Sequence, residues 1–188
     1  MDKSYEQKIN GLQETIEKLK SERTQYKYLA EHDRLTGLYN QTAAEERVQE
    51  ILEENRAGSY VLAIFDLDAF KDANDRCGHL FGDQVLEHIA SKLRKNRKED
   101  WIEARVGGDE FLLFFEKKPG FLEMLEGLQA ELNGDYGGYR VQVSMGAALY
   151  PADGGSYREL FQRADEAMYA AKAEGLGKCR LFDGAKML

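Results

Sequence analysis

The first thirty residues repeat apolar positions in alternating steps of four and three. The central positions of this repeat are Ile9, Leu12, Ile16 and Leu19. Isoleucine at the a positions and leucine at the d positions of a heptad favour a parallel two-stranded coiled coil, although Arg23 falls on the next a position. The alternative is an amphipathic helix that folds back on its own domain. We expect a coiled coil over residues 1–31, followed by one folded domain over residues 32–188.

Beyond residue 32 the apolar pattern changes between helical and strand periods. It predicts helices near 41–55, 83–95, 121–132 and 157–173, and strands at 60–65, on both sides of Gly107, at 139–144 and at 179–182. The run from Tyr60 to Phe65 is apolar throughout, as in strands that are buried on both faces. The mixture predicts an α/β (α+β) domain, but the pattern alone does not give the order of the strands.

Two carboxylates, Asp66 and Asp68, follow this buried strand. Ionised acids near a core are costly unless they are paired, so they usually meet a cation or a metal. We expect the two to point to opposite sides, so that only one of them faces a site. A polar segment from Asn74 to Asp83 comes next, and for these two residues alone turn and N-cap chemistry is an equally good interpretation.

The run Gly107-Gly108-Asp109-Glu110-Phe111 predicts a hairpin with acids at its tip. Glycines at such a turn tolerate positive φ and let a ligand approach the backbone closely. The acids become strong ligands when a metal is present. Taken alone, the run fits a solvated hairpin tip at least as well as a site.

Together these segments resemble the GGDEF-domain family, the diguanylate cyclases, over residues 33–182. The matching motifs are DRLTGLYN at 33–40, DLDAFK at 66–71, ND at 74–75, GH at 78–79, GD at 82–83, RVGGDEF at 105–111, VSMGAA at 143–148 and ADEAMYAAK at 164–172. The resemblance implies a central, mainly antiparallel sheet wrapped by helices, as in nucleotidyl cyclases and polymerase palms. It also implies that two GTP molecules are condensed into cyclic di-GMP with release of two pyrophosphates.

The resemblance implies a divalent metal, Mg²⁺ or Mn²⁺, held by Asp66, the backbone carbonyl of Leu67 and Asp109. A ribose 3′-hydroxyl must attack an α-phosphorus while pyrophosphate leaves, which requires neutralised charge and help with the hydroxyl proton. Asp109 is also the family's candidate general base, and Glu110 would support the metal site or the attacking group. Lys71 would face phosphate charge in the transition state.

The resemblance assigns the substrate to residues from three parts of the chain, namely Phe70, Asn74, His79, Asp83, Gly107, Gly108 and Lys172. An Asp accepts hydrogen bonds from guanine N1 and N2, and an Asn amide both donates and accepts. The resemblance therefore implies that Asn74 and Asp83 contact the base and that Lys172 contacts the terminal phosphates. His79 is equally well interpreted as a structural histidine, and the role of Arg105 stays open.

One domain of this family binds one GTP, so the product requires two domains that face each other. The resemblance thus implies a homodimer, and a parallel coil would raise the local concentration of the two domains. The coil would carry a signal from an upstream sensor outside this chain, through a hinge at His32–Asn40. Two other hypotheses remain: a catalytically weak GTP-binding regulatory module, and a coiled-coil scaffold.

Two segments near the site depart from the family pattern. Gln41 stands where the family usually has Arg, which would loosen the hinge if that Arg normally pairs with the acid at Asp33. The segment Gly175–Cys179 is two residues longer than usual. Lys178 is then the candidate for a second basic phosphate contact.

A third departure concerns product inhibition at an Arg-x-x-Asp motif. Arg97 and Asp100 have this spacing but lie one residue further from the glycines than usual. In the usual register the positions are Lys98 and Trp101, which could not do the same job. The alternative is a solvated charge run after a helix.

Composition narrows the class of protein without deciding it. The chain has 188 residues, 43% hydrophobic residues and a net charge of −8, which argues against a nucleic-acid surface. Cys77 and Cys179 lack metal-ligand spacing and do not make a disulfide framework. We find no signal peptide and no apolar run that could cross a membrane, so we expect a cytoplasmic chain whose parent protein could be attached to a membrane.

Overall fold

The computed structural model describes residues 3–184, with only the backbone for residues 3–7, 9 and 10. The predicted heptad position Ile9 therefore lies outside the described side chains. The helices are α1 (Lys3–Glu31), α2 (Gln41–Glu54), α3 (Phe70–Cys77), α4 (His79–Asn96), α5 (Phe121–Leu132) and α6 (Tyr157–Ala173). The strands are β1 (Tyr39–Asn40), β2 (Tyr60–Leu67), β3 (Ile102–Arg105), β4 (Glu110–Glu116), β5 (Gly134–Tyr136), β6 (Tyr139–Val141), β7 (Val143–Tyr150) and β8 (Cys179–Leu181).

Six strands form one sheet in the order β1-β3-β4-β2-β7-β8, and β5 and β6 form a separate hairpin. The four inner strands pair antiparallel, while the two short edge strands pair parallel to their neighbours. This is the mainly antiparallel central sheet that the resemblance implies. Strand β2 is paired on both edges and covered on both faces, which explains why its sequence is apolar throughout.

Helices cover both faces of the sheet. On one face, α4 and α5 pack with Leu86, Ile89 and Leu125 against the stacked rings of Phe65 and Phe111. On the other face, α2 and α6 contribute the buried side chains Val48, Leu52, Leu160, Ala164 and Met168. Helix α6 lies so close to β7 that a Cβ at Gly146 would clash with the α6 backbone at Ala164 and Met168. Glycine at this position therefore sets the distance between α6 and the sheet.

Helix α1 leaves its heptad positions uncovered. Leu12, Ile16 and Leu19 are 63%, 49% and 57% exposed, so these side chains do not pack on the chain's own domain. This finding disfavours the alternative of a helix that folds back. None of the helices within residues 3–184 combines the length and apolarity needed to span a membrane.

The local predictions fail in two segments, residues 70–83 and residues 139–144. Helix α4 begins at His79, four residues before the predicted start, because Gly78 at φ 85° ends α3 and α4 begins at the next residue. Helix α3 is not among the predicted helices, and it has a single buried side chain, Ala73. The predicted strand 139–144 is split, because β6 pairs with β5 while β7 joins the main sheet.

Candidate active site

Three carboxyl groups lie together where β2 ends and β4 begins. Asp66 and Glu110 are direct partners in the antiparallel register of these strands. Asp109 precedes Glu110, and its backbone carbonyl accepts a hydrogen bond from the Leu67 N–H at 3.3 Å. The pairing of two buried strands therefore brings together the acids of two separate sequence motifs.

A single ammonium group lies among these acids. Lys172 Nζ donates a hydrogen bond to Asp66 Oδ1 at 2.7 Å, and the Asp66 side chain is 16% exposed. Lys172 belongs to the last turn of α6, whose close approach at Gly146 brings it to the end of β2. The sequence motifs predicted that Lys172 reaches phosphates, and its contact in this structure is with the carboxylate.

The pKa values of Asp66 and Glu110 are both raised. Burial raises the pKa of Asp66, the nearby charges of Asp109 and Asp68 add to this effect, and Lys172 opposes it. Burial and the charges of Asp66 and Asp109 likewise raise the pKa of Glu110. Removal from water and mutual repulsion both disfavour the ionised forms, so a bound cation would be stabilised here.

The donor set fits a magnesium-type ion. Within residues 3–184, no group of three or more His, Cys, Asp and Glu side chains is arranged to enclose a metal. Mg²⁺ is commonly bound by one or two carboxylates together with substrate phosphates and water, without a complete protein cage. Oxygen donors of this kind are present where β2 ends and β4 begins, namely the Asp66 and Asp109 carboxylates and the Leu67 carbonyl.

Asp68 has a structural environment that differs from that of Asp66. Its buried carboxylate oxygens each lie 2.8 Å from Ser144 Oγ, and one of them accepts the Gly177 N–H at 2.8 Å. Residues two apart on a regular strand share a face, so alternation does not explain this difference. The two acids separate because β2 ends at Leu67.

The lengthened segment after α6 is held by this acid. Gly177 lies in the left-handed region at φ 70° and donates its N–H to Asp68. Lys178 Nζ donates to the Glu174 carbonyl at 2.6 Å, at the C-terminus of α6. In this structure the predicted second phosphate lysine thus caps the end of its own helix.

At the hairpin tip, positive φ is not the reason for the two glycines, and a steric requirement is seen at Gly107 alone. Neither Gly107 nor Gly108 has positive φ. A Cβ at Gly107 would clash with the Glu110 carboxylate, whereas the space around Gly108 is open. Glycine at 107 therefore leaves room for the Glu110 side chain.

Arg105 connects this tip to the start of the domain. Its Nε and Nη2 donate to the Gly108 carbonyl at 3.1 and 2.6 Å, and Nη1 lies 3.2 Å from Asp33 Oδ1. Asp33 also accepts hydrogen bonds from the Thr36 backbone and hydroxyl. Burial alone would raise the pKa of Asp33, but the hydrogen bonds from Thr36 and the charge of Arg105 hold it below its usual value.

The hinge at His32–Asn40 is consequently held without an arginine at position 41. The expected partner of Asp33 is replaced by Arg105, and a second ion pair joins Arg47 Nη2 to Glu31 Oε2 at 3.1 Å. Asn40 caps α2 by accepting from the Ala43 N–H and donates to the Ala30 carbonyl at 2.6 Å. The expectation of a looser hinge at Gln41 finds no support in these contacts, and sequence spacing gave no signal for Arg105.

The residues predicted to bind the base lie on α3 and α4. Asn74 rests directly on Gly82, where a Cβ would clash with the Asn74 amide oxygen. Asp83 is the next residue of α4, so the helix pair brings Asn74 and Asp83 into one neighbourhood. Lys71, His79 and Asp83 are exposed. Within the described part of the chain, Lys71 makes no hydrogen bond or ion pair.

Arg97 and Asp100 line one open depression of about 270 Å³, together with Tyr39, Arg47 and Trp101. The Asp100 carboxylate is already paired with Lys118 Nζ at 3.1 Å. The usual family register places Lys98 and Trp101 at these two positions. Trp101 is buried, and Lys98 Nζ lies 5.5 Å from the centroid of its ring. Lys98 does not line the depression, so of the two registers Arg97 and Asp100 are the pair of which both members line it.

Comparison with known proteins agrees with this geometry. The family model described as "Diguanylate cyclase, GGDEF domain" matches residues 30–178, and the chain belongs to this family. The bifunctional diguanylate cyclase/cyclic di-GMP phosphodiesterase MucR of Pseudomonas aeruginosa is 38% identical over 168 residues, which cover 84% of this chain and 24% of MucR. Diguanylate cyclase DgcP of the same organism is 36% identical over 191 residues, which cover 91% of this chain and 28% of DgcP.

A solved structure extends the similarity to α1. The coiled coil and GGDEF domain of DgcB from Caulobacter crescentus, in complex with c-di-GMP, superposes with a TM-score of 0.85 at 27% identity. The match covers 95% of this chain and 99% of the DgcB chain. The curated relatives are much longer, and this chain spans about a quarter of their length.

Proposed function

We propose that this chain is an active, metal-dependent diguanylate cyclase that condenses two GTP molecules into cyclic di-GMP and releases two pyrophosphates. The observation that carries the proposal is the cluster of Asp66, Asp109 and Glu110 at the ends of two paired strands, with Lys172 as its cation. Acids that are partly buried and repel one another favour a divalent ion and the phosphates that bind it.

Each half-reaction joins two nucleotides. The 3′-oxygen of one GTP bonds to the α-phosphorus of the other, the bond to pyrophosphate breaks, and the hydroxyl proton passes to a base, for which Asp109 is our candidate. Asp66, Asp109 and the Leu67 carbonyl would hold Mg²⁺ or Mn²⁺, which neutralises charge on the phosphates when it is bound. Glu110 would support this site from the adjacent strand position.

The remaining polar residues would hold the substrate. Lys71 is free to meet phosphate charge as it develops, and Lys172 would exchange its contact with Asp66 for the terminal phosphates when a metal binds. Gly107 and Gly108 would allow the nucleotide to approach the hairpin tip. Asn74 and Asp83 would select guanine, with Phe70 and His79 beside them, because an unmet buried polar group would disfavour adenine by about 1–3 kcal/mol.

We further propose that the chain acts as a homodimer, divided into a coiled coil at residues 1–31 and a catalytic domain at 32–188. One domain offers one nucleotide site, whereas the product requires two nucleotides. The exposed positions Leu12, Ile16 and Leu19 on α1 would form the parallel coil. An upstream sensor in a longer protein would act through this coil. This proposal fits the observation that the chain spans only about a quarter of the length of MucR and DgcP.

Product binding is a second proposal, carried by the depression that Arg97 and Asp100 share with Arg47, and which Glu50 and Glu99 also line. Two guanidinium groups suit a ligand with two phosphates. Cyclic di-GMP would bind here and slow turnover, with Asp100 released from Lys118. Isothermal titration with cyclic di-GMP tests this, and an Arg97→Ala chain that binds as tightly as the wild type would refute it.

The decisive experiment is incubation with GTP and Mg²⁺ at several protein concentrations, with the nucleotides separated by chromatography. Cyclic di-GMP and pyrophosphate, with specific activity that rises with protein concentration, are the expected result. Asp109→Ala is the control, and it should stay dimeric and lose turnover. GTP binding without product at every concentration would instead favour a regulatory GTP-binding module.

A further inference from the structure

The β5–β6 hairpin lies outside the main sheet and has no part in the chemistry described above. Its turn is Gly137-Gly138, with φ of 57° and 82°. The Gly138 N–H donates a hydrogen bond to Asp135 Oδ1 at 3.0 Å. Two consecutive positive φ values form the turn type that matches the twist of paired strands. The hairpin is therefore well defined, and its two turn-flanking residues are Tyr136 and Tyr139.

The tip of this hairpin rests on the first turn of α4. The Phe81 ring lies 5.9 Å from Tyr136 and 6.1 Å from Tyr139 between ring centroids. The Tyr136 ring also packs at 4.6 Å from His88, two turns further along α4. A Cβ at Gly137 would come within 3.1 Å of the Phe81 ring, so the backbone of the turn itself lies on this side chain.

The same tip also contacts the beginning of α3. Tyr139 Oη donates a hydrogen bond to the Ala69 carbonyl at 3.3 Å. Ala69 precedes the first residue of α3 and has φ 56°, and it is the one residue other than glycine with positive φ between residues 3 and 184. That conformation is costly for a residue with a Cβ, so surrounding contacts must hold it. Its carbonyl also accepts the first hydrogen bond of the helix, from Ala73.

Helix α3 has few other anchors: Phe70 packs partly buried against the core, and Asn74 lies on Gly82 of α4. It is eight residues long, and Ala73 is its one buried side chain. It carries Phe70, Lys71 and Asn74, while α4 carries Gly82 and Asp83 on the facing helix. A contact that touches both Ala69 and Phe81 therefore fixes the spacing of the two helices that would grip the nucleotide.

We propose that the β5–β6 hairpin is a positioning element for the nucleotide site, and that Tyr139 is its key residue. The Tyr139 hydroxyl holds the start of α3 while its ring packs against the first turn of α4. The two halves of the base site are thus set before GTP arrives, which lowers the ordering cost of binding. This inference rests on the proposed binding of GTP by α3 and α4.

The chain offers a matched control on the same hairpin. Tyr136 packs on the same Phe81 ring, but its hydroxyl makes no hydrogen bond among the described residues. Tyr139→Phe and Tyr136→Phe each remove one hydroxyl and keep the ring. Only the first variant loses a contact with α3.

The test measures the Kd of a non-hydrolysable GTP analogue with Mg²⁺, and the KM and kcat for GTP, in the full chain and in both variants. Tyr139→Phe should raise Kd and KM about fivefold, the factor expected for one hydrogen bond, and leave kcat nearly unchanged. Tyr136→Phe should match the wild type. Amide hydrogen exchange should quicken over residues 70–77 in Tyr139→Phe alone, with or without nucleotide.

Each outcome separates the inference from the proposed function. A wild type that binds GTP, with Tyr139→Phe equal to it in affinity and in exchange, would overturn the inference alone. An equal loss of affinity in both variants would also overturn it, because ring packing instead of the hydroxyl would then be responsible. A wild type that binds no GTP would overturn the proposed function and this inference with it.

Discussion

The candidate site has two ends that are built in different ways. At the carboxylate end, Asp66, Glu110 and Lys172 come from three elements of the main fold, and strand pairing and the close contact at Gly146 hold them in place. At the proposed base end, Asn74 on α3 is half-buried and Asp83 at the start of α4 is exposed, and few contacts support them. Under the proposed assignments, we expect charge stabilisation to be preformed, whereas base recognition would depend on the spacing of two helices with few buried side chains.

The largest effect should follow from Asp66→Asn at the carboxylate end. Turnover of GTP should fall at least about a hundredfold, the scale on which single preorganised charged groups act in active sites. The amide can still accept from Lys172, so folding should be retained. Cyclic di-GMP formation measures the loss, and circular dichroism confirms the fold. A variant within tenfold of the wild type would remove Asp66 from the proposed metal site.

Asp68→Ala tests whether Asp68, unlike Asp66, has a structural role at the end of β2. It should lower the free energy of unfolding by about 2–3 kcal/mol, because the buried Ser144 hydroxyl and the Gly177 N–H lose their acceptor. Denaturant unfolding measures the change. Asp68→Asn keeps one acceptor oxygen and should lose less. If the Ala variant were as stable as the wild type, the structural role assigned to Asp68 would be wrong.

At the base end, Gly82→Ala tests recognition apart from stability. The added Cβ would displace the Asn74 amide, and KM for GTP should rise about tenfold, within the range for a lost buried hydrogen-bond partner. Stability should hold or improve slightly, since alanine favours a helix over glycine. Gly127→Ala on α5 is the control, because nothing lies within 4 Å of its added Cβ. An unchanged KM would show that Asn74 does not contribute to binding of the base.

The smallest effect concerns a buried acid away from both ends. Glu103 is buried, one of its carboxylate oxygens has no hydrogen-bond partner, and it lines a small cavity with His32, Arg94 and Arg97. Burial raises the pKa of Glu103 above its ordinary value of 4.5, and the charges of Arg97 and Arg94 oppose this shift.

Because the folded state holds the proton more tightly, the stability that this proton provides is full below about pH 4.5 and is lost as pH rises through the higher folded pKa. The Glu103→Gln side chain cannot ionise, so this variant should be as stable as the wild type at low pH. Above the folded pKa of Glu103, its free energy of unfolding should exceed that of the wild type by about 1 kcal/mol. Urea unfolding from pH 4 to 8 measures the difference. A constant offset at every pH would contradict the raised pKa.

Sequence motifs located most of the candidate site, because the acids and the glycines stand at the ends of strongly apolar segments. The helices 121–132 and 157–173 were predicted with the bounds that the structure shows, since their apolar faces follow one period. Helix α3 was missed, because it is only eight residues long, mostly polar, and buries a single side chain. The link from Arg105 to Asp33 joins residues far apart along the chain and had no local signal.

The sequence by itself determined the family, the types of residue in the site and the heptad positions of α1, because apolar periods and motif spacing are local properties of the chain. The tertiary structure decided which partners Asp66 and Asp68 each contact, and which residue holds Asp33. It also decided that a hairpin outside the sheet braces α3 and α4. These outcomes depend on which strands pair and how closely helices approach, and non-local packing alone sets both.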